Sequence, residues 1–128
     1  MVIDTSAILA LVQEEPEHAR FREKIERDGK PLLSAVSLVE CSIIIASRFG
    51  DTGLDKFDLL LNALGIEIVA TDRNQAYAAR RAYRKFGKGH HPAALNFGDC
   101  FSYALSTATG EPLLYKGNDF SRTDVEAA

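Results

Sequence analysis

The chain opens on an abrupt apolar segment, Met1-Val2-Ile3, that stops at Asp4. Ser6-Ala7-Ile8-Leu9-Ala10-Leu11-Val12 then mixes small and large apolar residues, as a helix packed on a sheet does. Asp4 is thereby predicted at a strand-to-helix junction. Pro16 suits the start of a second helix of mixed charge, which continues through Phe21 and Ile25 until Gly29 stops it. Lys30-Pro31-Leu32-Leu33 reads as a short strand. Ser34 or Ser37 can cap the next helix, whose apolar positions Val36, Val39, Ile43 and Ile44 mark the face expected to be buried, and Gly50 should end it. A helix over about 55–64, ending at Gly65, and a buried strand over 66–70 follow. Thr71 or Asp72 opens a long helix to about Phe86. After the breaker-rich loop Gly87-Lys88-Gly89-His90-His91-Pro92, another helix runs from Asn96 or Phe97 to Thr109. Glu111-Pro112-Leu113-Leu114-Tyr115 is the last clear strand, followed by the polar turn Lys116-Gly117-Asn118-Asp119 and a short edge strand near Val125.

Short apolar strands alternating with helices predict an α/β fold, a mostly parallel sheet with helices on both faces. At 128 residues the chain has room for one core, so 1–128 is read as a single domain. A composition of 46% hydrophobic and 26% charged residues excludes a disordered chain. Its longest apolar runs fall far short of the ~20 residues that cross a bilayer. Met1-Val2-Ile3 leads to Asp4 with neither a basic region nor a small-residue cleavage site, so a cytoplasmic address is expected. Cys41 and Cys100 lie far apart, without metal-ligand spacing, and are expected as buried free thiols.

The formal charge of −3 argues against indiscriminate binding to nucleic acid, but the charge is unevenly spread. Between 73 and 98 there is no acid, only Arg73, Arg80, Arg81, Arg84, Lys85 and Lys88, with His90 and His91. Such a block is either a solvated helix face or a surface for a polyanion. Arg80, Arg84 and Lys88 recur at helical spacing and could face one way, and His90 follows in the loop. Tyr77, Tyr83 and Phe86 offer rings for stacking on unpaired bases, although helical spacing favours core packing for most of them.

Four acids stand where chemistry could occur. In an open parallel sheet, ligands bind beyond the carboxyl ends of the strands, where Asp4 and the turn at 116–119 are expected. Asp4-Thr5-Ser6 serves equally as a helix cap. Glu40 falls on the stripe of Val36, Val39, Ile43 and Ile44, where a carboxylate needs a cation, a hydrogen-bond partner, a metal or a proton. Asn96-Phe97-Gly98-Asp99 has the form of a capping box, and Ser102 and Tyr103 put further polar groups on the same helix. Asp119 sits in a turn that favours Asp for local reasons. Together these oxygens suit one hard cation, Mg²⁺ or Mn²⁺, and phosphodiester chemistry without a His, Cys or Lys nucleophile. Carboxylates so gathered should raise at least one pKa.

Met-Val-Ile-Asp4-Thr5-Ser6-Ala7, the helical Glu40, Leu95-Asn96-Phe97-Gly98-Asp99-Cys100 and Leu113-Leu114-Tyr115-Lys116-Gly117-Asn118-Asp119-Phe120 resemble the PIN-domain ribonucleases, specifically the VapC toxins of type II toxin–antitoxin pairs. The resemblance implies a three-layer α/β/α sandwich and a Mg²⁺- or Mn²⁺-dependent endoribonuclease cutting a tRNA or rRNA. It also implies a homodimer and neutralisation by a VapB antitoxin. It assigns Asp4, Glu40, Asp99 and Asp119 as the metal-holding acids, with Thr5 or Ser6 a hydroxyl that orients the first acid or a metal-bound water. Many relatives carry an Asp where this chain has Gly117, so the fourth acid falls to Asp119, with Asp124 as the alternative. Two rival readings remain open. An aspartate-nucleophile phosphatase needs a second Asp where Ser6 stands, and a non-catalytic PIN-like module would hold RNA or protein without cutting.

Overall fold

The computed structural model describes residues 1–128. In chain order the elements are β1 (Val2–Ile3), α1 (Thr5–Val12), α2 (His18–Asp28), β2 (Leu32–Ser34), α3 (Ala35–Ala63), β3 (Glu67–Val69), α4 (Arg73–Phe86), α5 (Phe97–Thr109) and β4 (Leu113–Leu114), closed by a 3-10 turn at Phe120–Arg122. The strands form one parallel sheet in the order β3-β2-β1-β4. Because successive strand residues point to opposite faces, each two-residue step divides between two cores. Ile3, Leu33 and Leu114 pack with Ala7, Ile8, Phe21, Ile25, Ile45 and Phe57 from α1, α2 and α3. Val2, Leu32 and Leu113 pack instead with Ala79, Ala82, Phe86, Ala104 and Leu105 from α4 and α5. The result is the expected α/β/α sandwich. Each large side chain fully withdrawn from water contributes about 1.5–3 kcal/mol, so even two-residue strands are held firmly between the layers.

Local chemistry sets the element ends. The Asp4 carboxylate caps α1, Ser34 caps α3 and Asp72 caps α4. The α2 helix stops at Gly29, whose φ of +75° suits glycine.

Three expectations need correcting. Helix continues past Gly50, which bends α3 through non-helical angles (φ 63°, ψ −157°), so the second half starts at once rather than near Asp55. The buried side of α3 is Ser37, Cys41, Ile45, Gly53, Phe57 and Leu61, whereas Val39 and Ile43 are 56% and 65% exposed. A continuous run of apolar residues made the wrong stripe look like the inner one. The strand expected to be buried at 66–70 lies at the sheet edge, with Ile66 buried but Glu67 and Ile68 exposed. The tail does add to the opposite edge, where Leu113 N–H donates to Glu126 O and Ala128 N–H to Leu113 O. No helix is long and apolar enough to cross a membrane.

From β1 the chain builds the sheet one way through β2 and β3, then returns to place β4 on the other side of β1. That reversal opens a crevice at the carboxyl ends of β1 and β4.

Candidate active site

Asp4 enters this crevice directly after β1. Its backbone N–H donates to Leu114 O across the β1–β4 pair at 2.9 Å. Its side chain is 2% exposed, and Oδ2 accepts from Ser6 N–H at 2.9 Å and Ser6 Oγ–H at 2.6 Å. The cap reading is therefore correct, but it uses one oxygen only. Asp4 Oδ1 and the neighbouring Thr5 Oγ1 are both buried without a hydrogen-bond partner. A buried polar atom with no partner costs about 1–3 kcal/mol, so two side by side point to a ligand. Ser6 Oγ also accepts from Lys116 N–H at 3.0 Å, tying the loop after β4 to Asp4. The Lys116 ammonium reaches on to Glu15 and, at 3.2 Å, to Glu17, and so clamps that loop to the α1–α2 connection.

Asp99 repeats the pattern on α5. Asn96 N–H donates to Asp99 Oδ2, and Asp99 N–H donates to Asn96 Oδ1, both at 2.9 Å, completing the capping box. Burial pushes the Asp99 carboxyl up to about 7, and the charges of Asp4, Asp119 and Glu40 add to the rise. A raised carboxyl pKa was the expectation; burial is its first cause here, and the like charges of the other three acids are the smaller one.

Glu40 reaches the group from α3. Ser37 and Ser102, buried and 3.3 Å apart, mark where α3 meets α5. One turn onward along α3 and one turn back along α5, the Glu40 carboxylate lies over Gly98. A Cβ there would fall 2.1 Å from Glu40 Oε2. Glu40 is thus half-buried at the mouth of the crevice rather than on a packed stripe, and it has no cation partner. Asp119 is exposed in the turn after β4. Asp124 is turned elsewhere, accepting from Tyr103 Oη–H at 2.5 Å and from Lys85 Nζ at 3.1 Å. Those two bonds hold its carboxyl below the usual range and take Tyr103 away from Asp99.

The four acids do not form a closed cage: no three His, Cys, Asp or Glu side chains converge as an ion's ligands. Carboxylates that repel one another stand apart in this way, and Mg²⁺, which keeps several waters, needs only one or two carboxylates directly. The oxygen-only donor set, the buried unpartnered Asp4 Oδ1 and Thr5 Oγ1, and the cradle at Gly98 fit a hard dication. Cys41, beside Thr5, is buried and free, its thiol pushed up to about 12 chiefly by burial, so it stays protonated.

Of the cations singled out in the sequence, Arg80 and Lys88 line one cleft of about 620 Å³ between α4 and α5, next to Asn96, whereas Arg84 and His90 do not. Phe86 is buried, but Tyr77 and Tyr83 are 40% and 42% exposed, against the expectation that helical spacing would bury most of these rings. Tyr77 carries the Arg80 guanidinium over its ring at 4.7 Å. His90 packs edge-on against Tyr83. Sequence reasoning overlooked Gly98, Phe97, Phe101 and the Lys116 clamp. Phe97 alone carried a signal, a large apolar residue in a first helical turn, and it is 72% exposed.

Residues 1–126 match the PIN domain family. The chain is 48% identical over 125 residues to ribonuclease VapC30 of Mycobacterium tuberculosis, covering 98% of this chain and 95% of that protein. It is 48% identical over 127 residues to ribonuclease VapC of Mycolicibacterium smegmatis, covering 99% and 98%. The crystal structure of Mycobacterium tuberculosis VapC20, a toxin that cleaves the sarcin-ricin loop, superposes with a TM-score of 0.78 at 14% identity, over 99% of this chain and 97% of that one. VapBC2 of Rickettsia felis, bound to a DNA fragment from its promoter, gives 0.78 at 12%, over 98% and 94%. An α/β/α sandwich, a family match over nearly every residue, and relatives close to half identical end to end establish that the chain belongs to the PIN-domain VapC ribonucleases, the toxins of toxin–antitoxin systems.

Proposed function

We propose that this ribonuclease hydrolyses RNA phosphodiester bonds with Mg²⁺ or Mn²⁺ held by Asp4, Glu40, Asp99 and Asp119. The observation that carries the reading is the buried, unpartnered Asp4 Oδ1, with Thr5 Oγ1 beside it, at the sheet edge from which the charges of Asp4, Glu40 and Asp119 act on Asp99. When bound, the dication supplies Lewis-acid polarisation of a phosphoryl oxygen and lowers the pKa of water toward neutrality. The protein's part is orientation. Ser6 fixes Oδ2 of Asp4, so that Oδ1 is the oxygen presented, and Asn96 does the same for Asp99. Thr5 adds a neutral oxygen beside the first acid. Gly98 lets the Glu40 carboxylate approach α5, and the Lys116 clamp holds the loop that carries Asp119. Asp119, rather than Asp124, is the fourth acid, because Asp124 is already committed to Lys85 and Tyr103.

The substrate we propose is an exposed loop of a structured RNA, a tRNA or rRNA. VapC20, of the same fold, is described as cleaving the sarcin-ricin loop. The acid-free face of α4 supplies the sequence-independent phosphate affinity that a cluster of carboxylates would otherwise defeat. Arg80, Arg84 and Lys88 belong to that face, with His90 beside it. A VapB antitoxin is the proposed protein partner, as in the VapBC2 assembly. The cleft of about 440 Å³ where Leu11, Val12, Phe49, Phe57 and Leu60 are edged by Glu14, Arg22 and Lys56 is an amphipathic groove suited to a partner helix. Exposed Val39 and Ile43, which with Val36, Ile44 and Phe97 line a second apolar cleft of about 750 Å³, support a homodimer. Action in the cytoplasm, where such RNA is found, completes the reading.

The deciding experiment is cleavage of an RNA panel with Mg²⁺ or Mn²⁺, with and without EDTA, by wild type and Asp4→Asn. Chelation and the substitution should each abolish cutting, and activity that survives both refutes the mechanism. RNA binding without any cutting, indifferent to metal, would favour the non-catalytic module. A phosphoryl-aspartate trapped at Asp4 would favour the phosphatase.

A further inference from the structure

The cleft between α4 and α5 has a lining that the acids do not explain. Buried Ala79 and Cys100 line it together with exposed Ala76, the rings of Tyr83, Phe97 and Phe101, and the cations Arg80 and Lys88. Phe97 and Phe101 meet edge-on with centroids 5.0 Å apart, and Phe97, which also borders the apolar cleft of Val39 and Ile43, keeps 72% of its surface in solvent. No carboxylate pairs with Arg80 or Lys88 anywhere in the structure. Asn96 joins the cleft to the acids, since it also caps α5 and holds Asp99. Its Oδ1 is taken by Asp99 N–H, which leaves the Nδ2 hydrogens free to donate.

We infer that this cleft is a nucleobase subsite of the ribonuclease: an unpaired base next to the scissile phosphate lies against Phe97, Phe101 and Tyr83, while Arg80 and Lys88 hold its flanking phosphates. The inference rests on the RNA-cleaving reading and adds where the base beside the cut is held. Three observations favour RNA over a protein occupant. The rings are flat faces beside unpaired cations, the combination that single strands use. The whole segment from Arg73 to Gly98 lacks an acid, so the charge complements a polyanion. A cleft of about 620 Å³ falls within the ~300–1,000 Å³ that ligand pockets span, and it opens beside Asp99, where the strand must pass to be cut. The free Asn96 amide donates to an acceptor on the base edge.

The test uses short single-stranded RNAs carrying 2-aminopurine at successive positions, mixed with the Asp4→Asn protein and Mg²⁺, so that the RNA stays intact. Stacking should quench the fluorescence at one position only. Adding Phe97→Ala should restore the emission and weaken binding by about 5- to 150-fold, the effect of losing one base–aromatic stack. Phe97→Tyr should keep both. Arg80→Ala should weaken binding of every RNA and flatten its salt dependence. RNA that binds without quenching at any position overturns the inference. So does a Phe97→Ala protein that binds RNA unchanged but loses a second copy or an antitoxin, since a protein then covers the cleft. If wild type cuts no RNA yet the quenching and its loss in Phe97→Ala persist, the hydrolytic reading fails while the subsite stands.

Discussion

Gly98→Ala tests whether the proposed metal-holding acids depend on a missing methyl group. A Cβ at this position would lie 2.1 Å from Glu40 Oε2 and 2.5 Å from both Cδ and Oε1. Carbon and oxygen tolerate about 3.3 Å, so the carboxylate must withdraw by about 1 Å. The fold has no reason to object, because the displaced group is the end of a flexible side chain. Gly98 lies in the first turn of α5 with an ordinary φ, and alanine is favoured over glycine in helices by up to about 1 kcal/mol. Misplacing a catalytic group by 1 Å costs about 100-fold in rate. The expected variant is therefore as stable as wild type, or melts a few degrees higher, yet cleaves RNA with kcat/KM lower by about 100-fold. Thermal unfolding and steady-state cleavage of one RNA measure the two properties. The same change in a Glu40→Gln background should add little, because both act through one carboxylate. Full activity, or an equal further loss in that background, would refute the claim that Gly98 works through Glu40.

Ser6→Ala removes a 2.6 Å hydrogen bond to Asp4 and the anchor for Lys116 N–H, so kcat should fall about tenfold with RNA affinity unchanged, and Ser6→Thr should recover most of the loss. Asp119→Asn should abolish cleavage, whereas Asp124→Asn should leave it near wild type; the reverse order in one cleavage assay would move the fourth acid to Asp124. Asp99, with a folded pKa of about 7 against an ordinary 3.8, keeps a proton in the native state that the unfolded chain has released. In EDTA, stability should thus fall as pH rises from about 4 through 7, and Tm measured across that window should flatten in Asp99→Asn. Ile43 is 65% exposed, so Ile43→Asp should leave the chain folded while shifting the proposed dimer to monomers in sedimentation, with Tm falling only by what dimerisation adds.

Most of the fold was legible because each strand is a short apolar run bounded by a breaker or a cap, and the alternation of element types leaves few arrangements open. Two features escaped for one physical reason. Val39 and Ile43 on α3, and Ile68 on β3, are as apolar as core residues, but they face solvent, while Val36 and Ile44 are only half-buried. Hydrophobicity marks a surface that is covered by something, and it is silent on whether the cover is the same chain. Gly50 was identified as a break, yet a break that bends a helix and one that ends it use the same residue. Gly98 was invisible because its importance lies in an atom it lacks, opposite a side chain 58 positions earlier in the sequence.

The acids show why local and functional readings of one residue need not compete. Asp4 and Asp99 were equally explicable as helix caps, and both are caps, each through Oδ2. A carboxylate has two oxygens and a cap consumes one, so the bond that fixes the helix start also fixes the direction of the remaining oxygen. For Asp4 that oxygen is buried and unpartnered, a cost the fold carries without structural return. Capping thus orients these acids rather than explaining them away. Asp124 gives the contrast on the same chain, for both of its oxygens are taken, by Tyr103 and Lys85. An acid whose second oxygen is spoken for is structural, and one whose second oxygen is held toward like charges is available for chemistry. By that criterion Asp4 and Asp99 stand together and Asp124 stands apart.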